Sequence, residues 1–226
     1  MIDISWSSNL AYAVGLVTSD GCLSKDGRHI DFTSKDLEQI QNFKSILKID
    51  NKIGLKYRGP DRNRYYPRIQ FGDVKFYKFL LSIGLSPRKS KTIEKVRIPR
   101  KYFADFLRGY LDGDGYTHSY WDKRWKSSFI IYTGFTSGSL KYIEWLRKEI
   151  NKFYEIKGFI KHSGRSALAL MYAKKESLII LKKMYYNDDV TCLSRKKFKI
   201  MKSLGIIEQQ AGMLERYTGT PKERVS

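Results

Sequence analysis

The chain has 226 residues, of which 42% are hydrophobic and 14% aromatic, enough to bury a sizeable core, so wholesale disorder is excluded. Its 43 lysines and arginines against 23 aspartates and glutamates give a formal charge of +20, beyond the magnitude of roughly 2 to 8 that keeps a small domain soluble. No apolar run approaches the roughly 18 residues of a membrane span, and two cysteines (Cys22, Cys192) with three histidines (His29, His118, His162) exclude a disulfide framework and any centre built from sulfur or imidazole.

The opening Met1-Ile2-Asp3-Ile4-Ser5 has neither the basic start nor the apolar stretch of a secretory signal. A cytoplasmic protein, bacterial or phage, or one in an organelle lumen is expected. Ser7 and Ser8 can cap a helix whose apolar Leu10, Ala11, Val14, Leu16 and Val17 lead into Ser19-Asp20-Gly21, where the glycine can end it. A strand-like stretch closes on Phe32-Thr33-Ser34, and Leu37, Ile40, Phe43 and Leu47 keep helical spacing. Two strands follow, Gly54 to Arg58 and Tyr66 to Phe71, then a helix near Phe76 to Leu81.

The order then repeats. Past Pro99, Phe103, Phe106, Leu107, Tyr110 and Leu111 lead into Gly113-Asp114-Gly115, a strand closes on Phe135-Thr136-Ser137, and Leu140, Ile143, Leu146 and Ile150 mark a helix. Strands at Gly158 to His162 and Ala167 to Tyr172 and a helix at Ser177 to Met184 complete it. Gly15 precedes Asp20 by five residues, as Gly109 precedes Asp114, and Arg88-Lys89 and Arg195-Lys196 recur beyond the final helices. The expected fold is α+β, a duplicated αββαββα unit: residues 1–98, a linker near 86–100, residues 99–204, and an extension 205–226 without a counterpart, whose Gly212, Thr218, Gly219, Thr220 and Pro221 suggest a flexible end. Both repeats are basic, +8 and +12, so the charge belongs to a long folded surface that follows a polyanion.

The segments from Ala13 to Gly21 and from Leu107 to Gly115 resemble the name-giving motif of the LAGLIDADG homing endonucleases, in their single-chain, two-motif branch. The first motif departs in having Thr18 and Ser19 where the second has Asp112 and Gly113. The resemblance covers residues 8 to 204. It implies two saddle-shaped antiparallel sheets flanking two packed motif helices, a monomer, cleavage across the minor groove leaving cohesive 3′ ends, and a mobile-element protein encoded in an intron.

Elementary electrostatics reaches the same site. A carboxylate at a helix C-terminus meets the negative end of the dipole and carbonyls without partners, so it is disfavoured unless a cation neutralises it. Asp20 and Asp114 share that position. If Gly15 and Gly109 let the helices approach closely, both carboxylates, with Ser19 and Gly113 beside them, fall within reach of oxygen-held divalent metal. Mg²⁺ is expected, or Mn²⁺ in its place, with Ca²⁺ able to bind without supporting cleavage. Two such ions, roughly 3.5 to 4 Å apart, activate water and stabilise a leaving oxygen. Lys89 and Lys196 occupy matching places and are candidates to stabilise charge on phosphorus, with Lys91 or Lys197 as substitutes.

Strand parity nominates the surface that reads bases in double-stranded DNA. In Tyr66 to Phe71, Arg68 and Gln70 share one face; Lys56 and Arg58 repeat the parity, as do Ser24, Asp26 and Arg28 in the first hairpin. The second half offers His118, Tyr120, Lys123, Arg124 and Lys126, then Lys161, Ser163 and Arg165. In the major groove, Arg reads guanine and Gln reads adenine. Tyr65, Tyr66, Tyr120, Trp121 and Trp125 offer the lesser alternative of stacking single-stranded bases. Two rival functions are an RNA maturase, acting on intron RNA, and a non-catalytic DNA-binding regulator on the same fold.

Overall fold

The Ser7 hydroxyl accepts a hydrogen bond from the Leu10 amide at 3.1 Å, so α1 runs from Ser8 to Asp20 as the capping pattern predicts. It is buried from Leu10 through Thr18 on every side, which makes it a core helix rather than an amphipathic one. In this computed structural model, residues 2–58, 64–125, 128–164 and 166–218 are described; the side chains of Arg58, Arg64 and residues 211–218 lie outside that description.

The first half continues with β1 (Gly21–Leu23), β2 (His29–Thr33), α2 (Leu37–Leu47), β3 (Gly54–Arg58), β4 (Arg64–Gly72) and α3 (Val74–Ser82). The second repeats the order: α4 (Phe103–Asp112), β5 (Gly115–Trp121), β6 (Phe129–Ser137), α5 (Leu140–Tyr154), β7 (Phe159–Ser163), β8 (Ala167–Tyr172) and α6 (Lys174–Met184). Each half forms a four-stranded antiparallel sheet, in the order β1-β2-β4-β3 and β5-β6-β8-β7. The αββαββα duplication is therefore present. The inserted residues near Ser119 to Ser127 lengthen the β5–β6 hairpin, since β5 runs to Trp121 while β1 stops at Leu23.

One face of each sheet is covered by helices. Phe32 and Phe43 pack at 4.5 Å between centroids beneath the first sheet, and Tyr110 and Tyr142 at 5.3 Å beneath the second. Each such buried aromatic contributes on the order of 1.5 to 3 kcal/mol. Period-two alternation leaves the opposite faces of both sheets uncovered.

The halves are tied together twice, and symmetrically. Ser139 at the start of α5 donates to the Ile93 carbonyl at 2.5 Å, and Lys141 pairs with Glu94 at 2.5 Å, so the linker crosses onto the second half. After α6, the chain crosses back: Arg195 forms a two-pronged pair with Asp36 at 2.6 Å, and the Ser194 amide donates to Glu38 at 2.9 Å.

One expectation is corrected here. The end of the chain is helical to Thr218: α7 (Ser194–Thr218) spans the expected boundary at 204, because Ile200, Leu204 and Ile207 continue one buried face past it. Gly21 ends α1 as expected, with φ −79°. Space is the reason for the glycine, since a Cβ there would sit 2.7 Å from the Val17 Cα; one on Gly115 would sit 2.5 Å from the Leu111 Cα, the matching contact.

Arg108, 1% exposed, anchors the return crossing. It donates to the Thr191 carbonyl (2.8 Å), the Met184 carbonyl (2.6 Å) and Asp105 (2.7 Å). Arg108→Met removes the cation from the buried Asp105 carboxylate, leaving it the Tyr186 hydroxyl at 3.0 Å, and a loss of about 3 to 5 kcal/mol is expected from urea unfolding. An unchanged denaturation midpoint would contradict this account.

Candidate active site and nucleic-acid interface

The site is built by two helices that touch backbone to backbone. A Cβ on Gly15 would lie 2.3 Å from the Phe106 carbonyl oxygen, and one on Gly109 would lie 2.1 Å from that of Tyr12. No other residue fits at either position, so the helix-packing role expected of both glycines holds geometrically. The helix ends therefore converge. A Cβ on Gly113 would meet the Ser19 Oγ at 1.9 Å and the Asp20 Oδ2 at 2.8 Å. The Asp20 carboxylate thus rests against the backbone one residue before Asp114, and both aspartates line one recess of about 480 Å³.

Burial raises the pKa of Asp114 above the usual carboxylate range, opposed by Lys89 and then Lys196. Its main chain is pinned, the carbonyl accepting from the Thr136 amide (3.1 Å) and hydroxyl (2.6 Å). Ser19 turns its hydroxyl back to the Leu16 carbonyl at 3.0 Å, so only its main chain could face a metal.

The two lysines stand in matching places. Lys89, 5% exposed, donates to the Gly21 carbonyl. Lys196 donates to the carbonyls of Leu111 (2.6 Å), Asp112 (2.8 Å) and Gly115 (2.8 Å), with Gly113 at 3.4 Å. Each ammonium caps the end of a motif helix where the dipole is negative. Burial lowers the pKa of Lys89, countered by Asp114, Cys22 and Asp20 in that order, and lowers that of Lys196 to about 8. Of the alternatives, Lys91 is exposed and Lys197 donates to the Asp188 carbonyl. Lys196→Met leaves several carbonyls unpartnered, and thermal unfolding is expected to show a loss of about 2 kcal/mol; an unaltered melting temperature would remove the capping role.

A polar network beneath the site is not visible to periodicity. Asp112 accepts from the Tyr12 hydroxyl (2.8 Å) and the Leu193 amide (2.7 Å), joining α1, α4 and the start of α7. Burial raises its pKa to about 6. Its matching residue in the first motif, Thr18, bonds only back to the Val14 carbonyl at 2.7 Å. That asymmetry between the motifs was the available sequence signal.

The uncovered sheet faces flank the recess, which Tyr66 and Tyr116 enter from either side. On the first sheet, Lys56, Arg68 and Gln70 share the uncovered face with Asp31: Arg68 pairs with Asp31 and donates to Gln70 at 3.0 Å. Ser24, Asp26 and Arg28 do not follow, because β1 ends at Leu23 and these residues form the turn; Asp26 is engaged with the Arg28 and His29 amides and the His29 ring. On the second sheet, His118, Tyr120, Lys161 and Ser163 share the uncovered face. Lys123 and Arg124 lie at the hairpin end, where Arg124 pairs with Asp122 at 3.3 Å. Lys126, Arg165 and the Arg58 side chain lie outside the described residues. Of the stacking candidates, Tyr65, Tyr120, Trp121 and Trp125 are exposed, but Tyr65 and Trp121 sit on the opposite parity.

The donor set fits a hard cation. It consists only of oxygens, and no group of three or more His, Cys, Asp or Glu gathers among the described residues, so two carboxylates would be completed by main-chain, water and phosphate oxygens.

The arrangement of two sheets around two central helices recurs in solved LAGLIDADG structures. The homing endonuclease I-WcaI bound to its DNA recognition sequence superposes with a TM-score of 0.62 at 15% identity, over 86% of this chain and 88% of that one. LAGLIDADG homing endonuclease I-GzeII in complex with its DNA target gives 0.58 at 12%, over 96% and 94%. The N-terminal LAGLIDADG domain of DUF199/WhiA gives 0.53 at 15%, over 83% and 87%. No protein-family model matches the sequence, and neither does any curated protein. The chain has the fold of the single-chain LAGLIDADG homing endonucleases. No helix among the described residues is long and apolar enough to cross a membrane.

Proposed function

We propose that this chain is a site-specific endonuclease that hydrolyses both strands of duplex DNA with Mg²⁺, or Mn²⁺, held by Asp20 and Asp114. The observation that carries the reading is the convergence of these two aspartates in one recess, each at the end of a motif helix, between two uncovered sheet faces of a chain with formal charge +20. Divalent metal bound there supplies an activated water and stabilisation of the leaving oxygen. Asp20 and Asp114 orient it from opposite helices, with the main chains of Ser19 and Gly113 beside them. Lys89 and Lys196 hold positive charge at the helix ends, where a scissile phosphate would gain it.

Lys56, Arg68, Gln70, His118, Tyr120, Lys161 and Ser163 face the duplex, and Lys123 and Arg124 meet its backbone, the commoner destination of such contacts. One chain carries both motifs, so a monomer suffices. Ca²⁺ should support binding without cleavage. Carriage by a mobile intron fits the same reading.

The test is selection on a randomised duplex library with Mg²⁺, sequencing both cut and retained DNA. Recovery of one long, partly palindromic cut site is expected. Retention of a motif with no cutting in any divalent metal would assign a DNA-binding regulator instead, and preference for structured intron RNA a maturase.

A further inference from the structure

The pairing register equates positions in the two sheets, and the uncovered faces prove chemically opposite. Asp31 pairs with Gln70 as Gly134 pairs with Met171, and Thr33 pairs with Arg68 as Thr136 pairs with Ala169. Where the first sheet has Asp31, Gln70 and Arg68, the second therefore has Gly134, Met171 and Ala169, which are buried, Met171 4% and Ala169 0% exposed. Cys22 and His29 are likewise matched by Tyr116 and Tyr132, which lie opposite Gly134 and His118. Phe159, 45% exposed, lies beside Met171 on the adjacent strand. The Tyr116 hydroxyl is turned to the Met171 sulfur at 2.8 Å and offers the ring rather than the oxygen. Among the described residues of this recess, Lys161 alone carries a permanent charge.

This face is continuous with the aspartate recess, because Tyr116 lines both. The +20 charge and the cations of its own hairpin, Lys123 and Arg124, fit a polyanionic occupant rather than an apolar protein. Resting on the duplex-DNA reading above, we infer that the two halves read DNA by different chemistry. The first sheet reads base edges by hydrogen bonds, and the second reads a thymine-rich half-site through van der Waals contact with C5-methyl groups in the major groove, with Phe159, Tyr132 and Tyr116 as the specificity determinants and the buried Met171 packed beneath them. Thymine is the only base that presents an apolar group there.

The test uses the full chain carrying Asp20→Asn and Asp114→Asn, so that DNA stays intact, and two randomised duplex libraries, one made with thymine and one with uracil throughout. A cleavage reagent tethered at Cys22, which is exposed on the uncovered face of the first sheet, in a Cys192→Ser background, marks which half-site lies against that sheet. The thymine library should yield thymines concentrated in the half away from the tether, and the uracil library should keep the motif only near the tether. On the selected duplex, uracil in the far half should weaken binding about fourfold per methyl removed, against roughly twofold or less for the whole near half. Phe159→Gln should reduce the far-half sensitivity to uracil while leaving near-half preferences intact. Equal sensitivity in both halves, or none, overturns the inference while leaving the DNA reading standing. Selection of no duplex, or stronger retention of single-stranded RNA, overturns both.

Discussion

Asp20→Asn is expected to convert the proposed endonuclease into a nickase, and so is Asp114→Asn, each sparing a different strand; the double variant should cut neither. The reason lies in the position of each carboxylate, at the end of its own motif helix beside the other in a shared recess. Replacing one by a neutral amide removes a charged oxygen donor from one side. Metal at such sites supplies several kcal/mol, so the affected strand should be cut about 10³-fold more slowly. DNA binding should persist, since the uncovered sheet faces are untouched. Supercoiled plasmid carrying the selected site reads all three outcomes on one gel: linear product for the native chain, open circles for either single variant, unchanged plasmid for the double. Full linearisation by a single variant would show that its aspartate has no part in the reaction.

Gly109→Ala is expected to cost about 3 kcal/mol or more, although it adds one methyl group. That methyl would sit 2.1 Å from the Tyr12 carbonyl oxygen, 2.9 Å from its carbon and 3.1 Å from its Cα, so all three atoms it meets are backbone and no rotamer change relieves them. The helices must separate, and with them the two carboxylates. Cleavage should therefore fall even at temperatures where the variant is folded. Gly15→Ala, facing the Phe106 oxygen at 2.3 Å, should behave alike. Gly54→Ala is the control, because a Cβ there meets nothing within 4 Å. Circular-dichroism melting of the three variants checks the claim; equal melting temperatures would contradict the close helix contact.

These two results rest on features a reader of the sequence can see. The repeat was visible because helical and strand periodicities recur in the same order, and Asp20 and Asp114 because each precedes a glycine, Asp20 as the last residue of α1 and Asp114 two residues past the end of α4. Alternation placed Arg68 with Gln70, and Lys161 with Ser163, since a strand has only two faces. What escaped depends on contacts made after folding. Ser24, Asp26 and Arg28 continue the alternation in the sequence, but β1 stops at Leu23 and Asp26 bonds into the turn. Arg108 and Asp112 are buried, with partners such as Tyr12, Met184 and Leu193 far along the chain that no local pattern discloses. The flexible end expected after Leu204 overlooked Ile207, which keeps α7 on its buried face. The contrast between Gln70 and Met171 needs the strand register, which no single repeat discloses.

Crystals of the DNA complex grown with Mn²⁺ would locate the metal through its anomalous scattering. A peak bridging the Asp20 and Asp114 carboxylates and a phosphate oxygen is the predicted result. A complex with the duplex seated on both sheets and Mn²⁺ bound away from these aspartates would contradict it.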